Sequence, residues 1–327
     1  VVQPNIDPYM KFVDMPQAEQ TAYLMDQARS LVTTSTDYVV GPETFISGYA
    51  WHSRMDSNEQ INKLYGLVQD YPNVKFVIGS MTAKRYEPGD SLSESAKPAA
   101  DSSFWYDTYN SALQLDRTHK IQMYHKSLLV TGAEWMPSFR RLKFMQKITV
   151  NLGGISRSHG TQPERDVFVS PQDGLKVAPV ICWESVFGEY VTKYVKNKGA
   201  NLIFIITNDG WWKDTPGHRQ HNSFARLRAI ETRRSIARSA NTGISSIINQ
   251  RGEIEQSIGW WKRGAIKGQL NANDQLTFYT KHGDYIARIA AFLSVIFVLY
   301  AFVRKRALNK DPFISKIATQ KNKTKKP

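Results

Sequence analysis

The sequence predicts an α/β domain followed by one membrane-spanning helix. Three observations carry that reading. Short apolar runs alternate with helix-patterned segments over 1–284, an uninterrupted apolar stretch covers 285–303, and a basic tail closes the chain at 304–327. Strands alternating with helices mark an α/β architecture. The 327 residues are 41% apolar and 12% aromatic, which supplies a sizeable core and excludes a disordered chain. A single cysteine excludes an internal disulfide framework and any paired-cysteine metal site.

The elements follow in order. Residues 17–35 read as a helix, with Ala18, Tyr23, Leu24, Ala28 and Leu31 on one stripe. A strand over 37–41 ends at Gly41-Pro42, the punctuation of a strand running into a loop. A second buried strand covers 75–79, and 105–109 with 111–116 read as a hairpin turning at Asn110. Strands follow at 176–181 and 201–207, with a helix over 185–198 closed by Gly199. A long helix rich in Arg and Ala is expected over 221–239, and strands at 243–248 and 265–270 finish the sheet. The polar stretch 86–103 reads as an inserted surface loop. Residues 136–165 mix Phe139, Leu142, Phe144, Met145 and Ile148 with Arg140, Arg141, Lys143 and Lys147. A solvated loop and an arm lying on a membrane both fit that mixture.

The net charge of +14 has the size of a nucleic-acid signal but not its distribution. Nine Lys or Arg face Asp311 alone over 304–327, so the excess is mostly tail. The Arg-rich segment 224–238 is interleaved with Ala225, Leu227, Ile230 and Ile236. It reads as a structural helix with carboxylate partners such as Glu231, and no nucleic-acid partner is expected. As a helix, 285–303 extends about 28 Å, close to the ~30 Å of a bilayer core. Arg288 lies near one end, where a long side chain reaches the interface. A buried core helix is the competing reading. A span followed at once by Arg304-Lys305-Arg306 has the stop-transfer pattern, which puts the tail in the cytoplasm and the large domain across the membrane. The expected organisation is a large domain at 1–284, a transmembrane helix at 285–303 and a basic tail at 304–327. The chain opens Val1-Val2-Gln3-Pro4, without Met or a charged leader, so a preceding portion carrying an export element is expected.

Three residues could do chemistry together. Cys182 follows Val180-Ile181 and precedes a helix, a junction where helix N-terminal amides favour thiolate. A buried inert cysteine fits the same position. Glu43 stands just past a buried strand, where an uncompensated charge is costly. Lys126 holds a similar place after Ile121-Gln122-Met123. A cysteine nucleophile needs a base for its proton and a cation for the oxyanion formed on attack, and Glu43 and Lys126 are the residue types that supply them. Taken singly, Glu43 and Lys126 are each better read as a surface charge. His125, His218 and His221 are too scattered for a metal site, and no metal or cofactor is expected.

In order, Gly41-Pro42-Glu43, Tyr124-His125-Lys126 and Ile181-Cys182-Trp183-Glu184 resemble the three signatures of the carbon–nitrogen hydrolase (nitrilase) superfamily. More narrowly, the chain resembles the catalytic domain of the apolipoprotein N-acyltransferase family. That likeness rests on 124–130 with Gly132-Ala133-Glu134, on 182–189, and on 207–212 with Gln220-His221, Ala225-Arg226, 228–231 and 238–243. It covers roughly 1–303.

The resemblance implies an αββα sandwich with the reactive residues at strand ends. It implies a ping-pong acyl transfer in the bacterial inner membrane, with the catalytic domain on the periplasmic side. A phospholipid gives an acyl chain to the cysteine as a thioester, and the α-amine of a diacylglyceryl-cysteine apolipoprotein then takes it. Carried over by position, Glu43 is the general base, Cys182 the nucleophile and Lys126 the oxyanion cation, with the Trp183 N–H as a second donor. Glu134 supports the lysine and the base, and Glu184 is a further essential carboxylate beside the nucleophile. Asn208 and Trp211 line the substrate pocket. Trp183 replaces the Tyr often found in the family, and Gly188 replaces a common Pro. The alternative on the same fold is an amidase or nitrilase-type hydrolase of a small C–N substrate, with water as acceptor. A tethered binding module is the reading from outside enzymology, and it has no need of all three residues.

Overall fold

A computed structural model describes residues 1–11, 14–135 and 158–310. It divides into two units, Val1–Lys281 and His282–Pro327. The first half of the large unit contains β1 (Val2–Gln3), α1 (Gln17–Arg29), β2 (Tyr38–Val40), β3 (Ile46–Trp51), α2 (Glu59–Asp70), β4 (Lys75–Arg85), β5 (Lys97–Pro98), β6 (Trp105–Leu115) and β7 (Gln122–His125). The second half contains β8 (Phe168–Val169), β9 (Lys176–Ile181), α3 (Gly188–Lys198), β10 (Leu202–Thr207), α4 (Gly217–Thr232), β11 (Ile236–Ala240), β12 (Ser245–Ile248), β13 (Ile254–Ile258), β14 (Gly264–Ala265) and α5 (Phe278–His282).

Two six-stranded sheets form the centre. One runs β13-β12-β11-β10-β9-β8, with β9, β10 and β11 parallel. The other runs β2-β4-β6-β5, with β3 beside β4 and β7 beside β6. One core cluster joins the sheets, uniting Val77, Ala112 and Tyr124 with Val180, Ile205 and the α3 and α4 residues Val191, Tyr194 and Ala225. A second joins Leu24, Leu64 and Leu67 of α1 and α2 to Phe76, Ile78 and Leu113. The result is an αββα sandwich. Continuous apolar runs such as Leu202–Thr207 suit strands buried on both faces.

Four of the candidate residues lie just past the C-terminal end of a strand. Glu43 follows β2, Lys126 follows β7, Cys182 follows β9 and Asn208 follows β10. Parallel strands with return helices bring those ends to one side, where open α/β sheets bind ligands.

Several expectations need correction. No hairpin turns at Asn110: β6 is one continuous strand, registered residue by residue against β4 from Tyr106 to Leu115. The helix expected over 221–239 is α4 followed by β11, and the chain turns at Arg233, whose φ is +52°. Residues 265–270 do not finish the main sheet; Ala265 pairs with Val2 in a separate two-stranded sheet. The first helix ends at Arg29, short of residue 35. The polar insertion 86–103 is mostly exposed, yet Lys97–Pro98 pairs with β6. Most of the amphipathic arm, 136–157, and the tail beyond 310 lie outside the described residues.

The second unit contains one long helix, α6 (Tyr285–Lys310). Tyr285–Ala307 is long and apolar enough to cross a membrane, and none of that stretch is buried against protein. Its side chains, Phe292, Phe297 and Phe302 among them, stand exposed, which a water-facing helix would pay for heavily in free energy.

Candidate active site

The turn after β2 carries Glu43 into the interior. Gly79 of β4 lets it approach: a Cβ there would lie 2.5 Å from the Thr44 nitrogen and 2.6 Å from the Glu43 Cα. Thr44 adopts a φ of +45°, an uncommon conformation for a branched residue. Lys11 closes the turn from behind, its Nζ 3.3 Å from the Glu43 carbonyl and 3.4 Å from Thr44 Oγ1.

Lys126 is buried at 1% exposure between two carboxylates. Its Nζ donates to Glu43 Oε1 at 3.1 Å and to Glu134 at 2.8–2.9 Å. Asn110 Nδ2 donates to the same two carboxylates, at 2.7 Å each. The Val130 N–H donates to the other Glu134 oxygen. Burial alone would lower the Lys126 ammonium, but the attraction of Glu134 and Glu43 outweighs it and holds the group well above the usual lysine range. Burial would likewise raise Glu134, yet Lys126 and the hydrogen bonds from Lys126, Val130 and Asn110 hold it below the usual carboxylate range.

Cys182 opens the turn after β9 with a φ of +47°. Burial pushes its thiol well up, the charge of Glu43 adds to the effect, and Lys126 and Thr207 pull the other way. Glu43 and Lys126 are both within electrostatic reach of the thiol. The structure thus brings Glu43, Lys126, Glu134 and Cys182 into one electrostatic cluster.

Glu184 stands apart from that cluster. It is fully buried and ties two turns together. Oε2 accepts from Ile181 N at 2.9 Å, while Oε1 accepts from Ser127 N at 2.7 Å and from the hydroxyls of Tyr124 and Tyr190 at 2.8 Å. Burial raises its carboxyl against the pull of those donors. Trp183 lies edge-on to Phe187 in an open groove of 670 Å³ that also takes in Leu128, Trp135, Arg165 and Lys193. Asn208 is buried, its Oδ1 accepting from Asn241 and Thr242. Trp211 sits near the surface, edge-to-face with Tyr9 at 5.3 Å.

The sequence reading missed Asn110, and it gave no role to a second buried group. Arg238 Nη2 donates to Asp209 Oδ2 at 2.9 Å, and His221 Nδ1 lies 2.9 Å from Asp209 Oδ1. Burial would raise the Asp209 carboxyl, but Arg238 and then His221 hold it well below the usual range. All three side chains are at most 1% exposed. The signals available were two isolated charges in apolar surroundings, Asp209 just past 202–207 and Arg238 after Ile236-Ala237.

The carbon-nitrogen hydrolase family profile matches residues 1–275, and the chain belongs to that family. Within it, the chain is similar to apolipoprotein N-acyltransferases. It is 28% identical to the one from Chlorobaculum tepidum over 311 residues, which is 94% of this chain and 57% of that protein. It is 26% identical to the one from Geobacter metallireducens, over 93% and 54% of the two lengths. The chain spans about half the length of these curated relatives. Among solved structures, an amidase from Nesterenkonia superposes with a TM-score of 0.53 at 14% identity, covering 88% of this chain and 94% of that one. A CN-hydrolase superfamily protein from Xanthomonas campestris gives 0.51 at 16%, covering 90% and 95%. These likenesses bear on the fold, which is of the nitrilase type.

Proposed function

We propose that the chain is the catalytic part of an apolipoprotein N-acyltransferase working by ping-pong chemistry through Cys182. One observation carries the reading: a buried ammonium, Lys126, fixed by two carboxylates within electrostatic reach of the single thiol. Glu43 accepts the proton from Cys182 Sγ as sulfur attacks the ester carbonyl of a phospholipid. Lys126 Nζ and the Trp183 N–H stabilise the oxyanion. Collapse expels the lysophospholipid alkoxide, which takes the proton from Glu43, and leaves an acyl thioester. The α-amine of a diacylglyceryl-cysteine apolipoprotein then attacks. Glu43 takes its proton, and thiolate departs and is reprotonated.

A raised thiol pKa suits this sequence, because the proton leaves only as substrate arrives. The aromatic groove beside Trp183, with Arg165 and Lys193, suits a lipid that brings both acyl chains and a phosphate. We assign 1–284 to catalysis, 285–303 to a span of the bacterial inner membrane and 304–327 to the cytoplasm, with the catalytic domain on the periplasmic side. An amidase-type hydrolase on the same fold needs neither a span nor an apolar groove.

The test is intact mass after exposure to phospholipid vesicles. A single acyl mass on Cys182, discharged by a diacylglyceryl-cysteine peptide and absent in Cys182→Ala, is the expected result. An adduct on another residue, or discharge to water at the same rate without the peptide, overturns the reading.

A further inference from the structure

We infer that His221, held by Asp209 and Arg238, is a positioning residue that aims the Trp183 N–H at the developing oxyanion. The inference rests on the reaction proposed above. The nucleophile occupies an unfavourable backbone conformation, with a φ of +47° at a residue that has a Cβ. Something must hold it there. Its carbonyl oxygen accepts from Ser185 Oγ at 2.7 Å and lies 3.1 Å from His221 Nε2. Ser185 Oγ and His221 Nε2 are themselves 2.9 Å apart. A peptide unit is planar and trans, so its C=O and N–H point in opposite directions. Fixing the Cys182 carbonyl on the His221 side therefore fixes the Trp183 N–H on the other.

The imidazole is in turn immobile. Nδ1 meets Asp209 Oδ1 at 2.9 Å and Arg238 Nη2 at 3.0 Å, and Trp212 packs edge-on at 5.1 Å. Asp209 is further bonded by Thr207 Oγ1 at 2.9 Å, and Gly243 leaves room for its carboxylate where any side chain would collide. Neither ring nitrogen of His221 bonds the thiol, so the residue does not serve as the base. Its partners come from the C-terminal end of β10, the neighbour of β9, and from the middle of β11, one strand further on, which makes the network a brace for one peptide plane.

The discriminating experiment compares two reactions of the same sulfur in the full chain. Acylation by p-nitrophenyl butyrate builds an oxyanion; alkylation by iodoacetamide does not. In His221→Leu the acylation burst should slow by roughly 100-fold, the scale of losing one oxyanion donor, while alkylation changes less than about threefold. His221→Gln keeps a nitrogen donor and should recover at least about tenfold of that loss, and Ser185→Ala should slow acylation alone by a smaller factor. Equal slowing of both reactions, no slowing of acylation, or equal defects in the Leu and Gln variants overturns the inference. If His221→Leu does not fold, the Gln and Ala variants decide it by the same ratio. An activated ester needs no phospholipid, so failure here is distinct from absence of a lipid-derived thioester.

Discussion

Two buried charge clusters flank the nucleophile, and they are built on opposite plans. On one side Glu43, Glu134 and Lys126 leave a surplus of negative charge. On the other, Arg238 and Asp209 cancel, and Thr207 and His221 bond the remaining carboxylate oxygen. The first arrangement can accept a proton and face a substrate. The second has no vacancy for either, so its influence is geometric. Burial alone therefore does not single out reacting groups, and the proposed reaction places proton transfer on the uncancelled cluster.

The largest effect that tests this contrast comes from removing each cation. Lys126→Met leaves two carboxylates facing each other, and Arg238→Met leaves one. Each should cost ~3–5 kcal/mol by denaturant unfolding, with Lys126→Met at the upper end. Only Lys126→Met should also abolish acylation in whatever fraction folds. Equal activity in the two folded variants would break the comparison. A middle-sized effect is expected at Gly79→Ala, where the added methyl must displace the Glu43 turn. About 1–3 kcal/mol of stability should go, as in other overpacked sites, with acylation slowed and the His221 side untouched.

The last effect, smallest at any one step of a pH unit, sharpens the comparison through pH. Burial lowers the Lys11 ammonium to about 7, with Glu43 pulling the other way. The unfolded chain keeps that proton up to about 10.4. Between those values the unfolded state binds more protons, so stability rises with pH; below about 7 the penalty is constant. Lys11→Met should flatten this rise by up to ~1.4 kcal/mol per pH unit. Thermal melts across that window check it, and an unchanged slope rejects the assignment.

Glu43, Lys126 and Cys182 were legible because each closes an apolar strand, and a charge or thiol there stands out. Asn110 was not, since asparagine favours turns and the runs on either side of it read as two short strands. Only pairing with β4 makes it the middle of one strand, where its amide bridges two carboxylates. The α4–β11 junction was hidden for a related reason. No Gly or Pro marks it, because Arg233 itself takes the left-handed conformation. Arg238 was thus assigned to a helix face, whereas it is a strand residue whose guanidinium reaches Asp209. Pairing of 265 with residue 2 is a contact across nearly the whole large unit, which no local pattern encodes.

Glu184 has a consequence for how such a protein can diversify. One carboxylate fastens the segment after Lys126 to the segment around Cys182, so the gap between amine and sulfur is set by the scaffold rather than by side-chain freedom. Under the proposed reaction, a change of substrate therefore falls to residues along the groove near Trp135 and Phe187, while the spacing of amine and sulfur stays fixed.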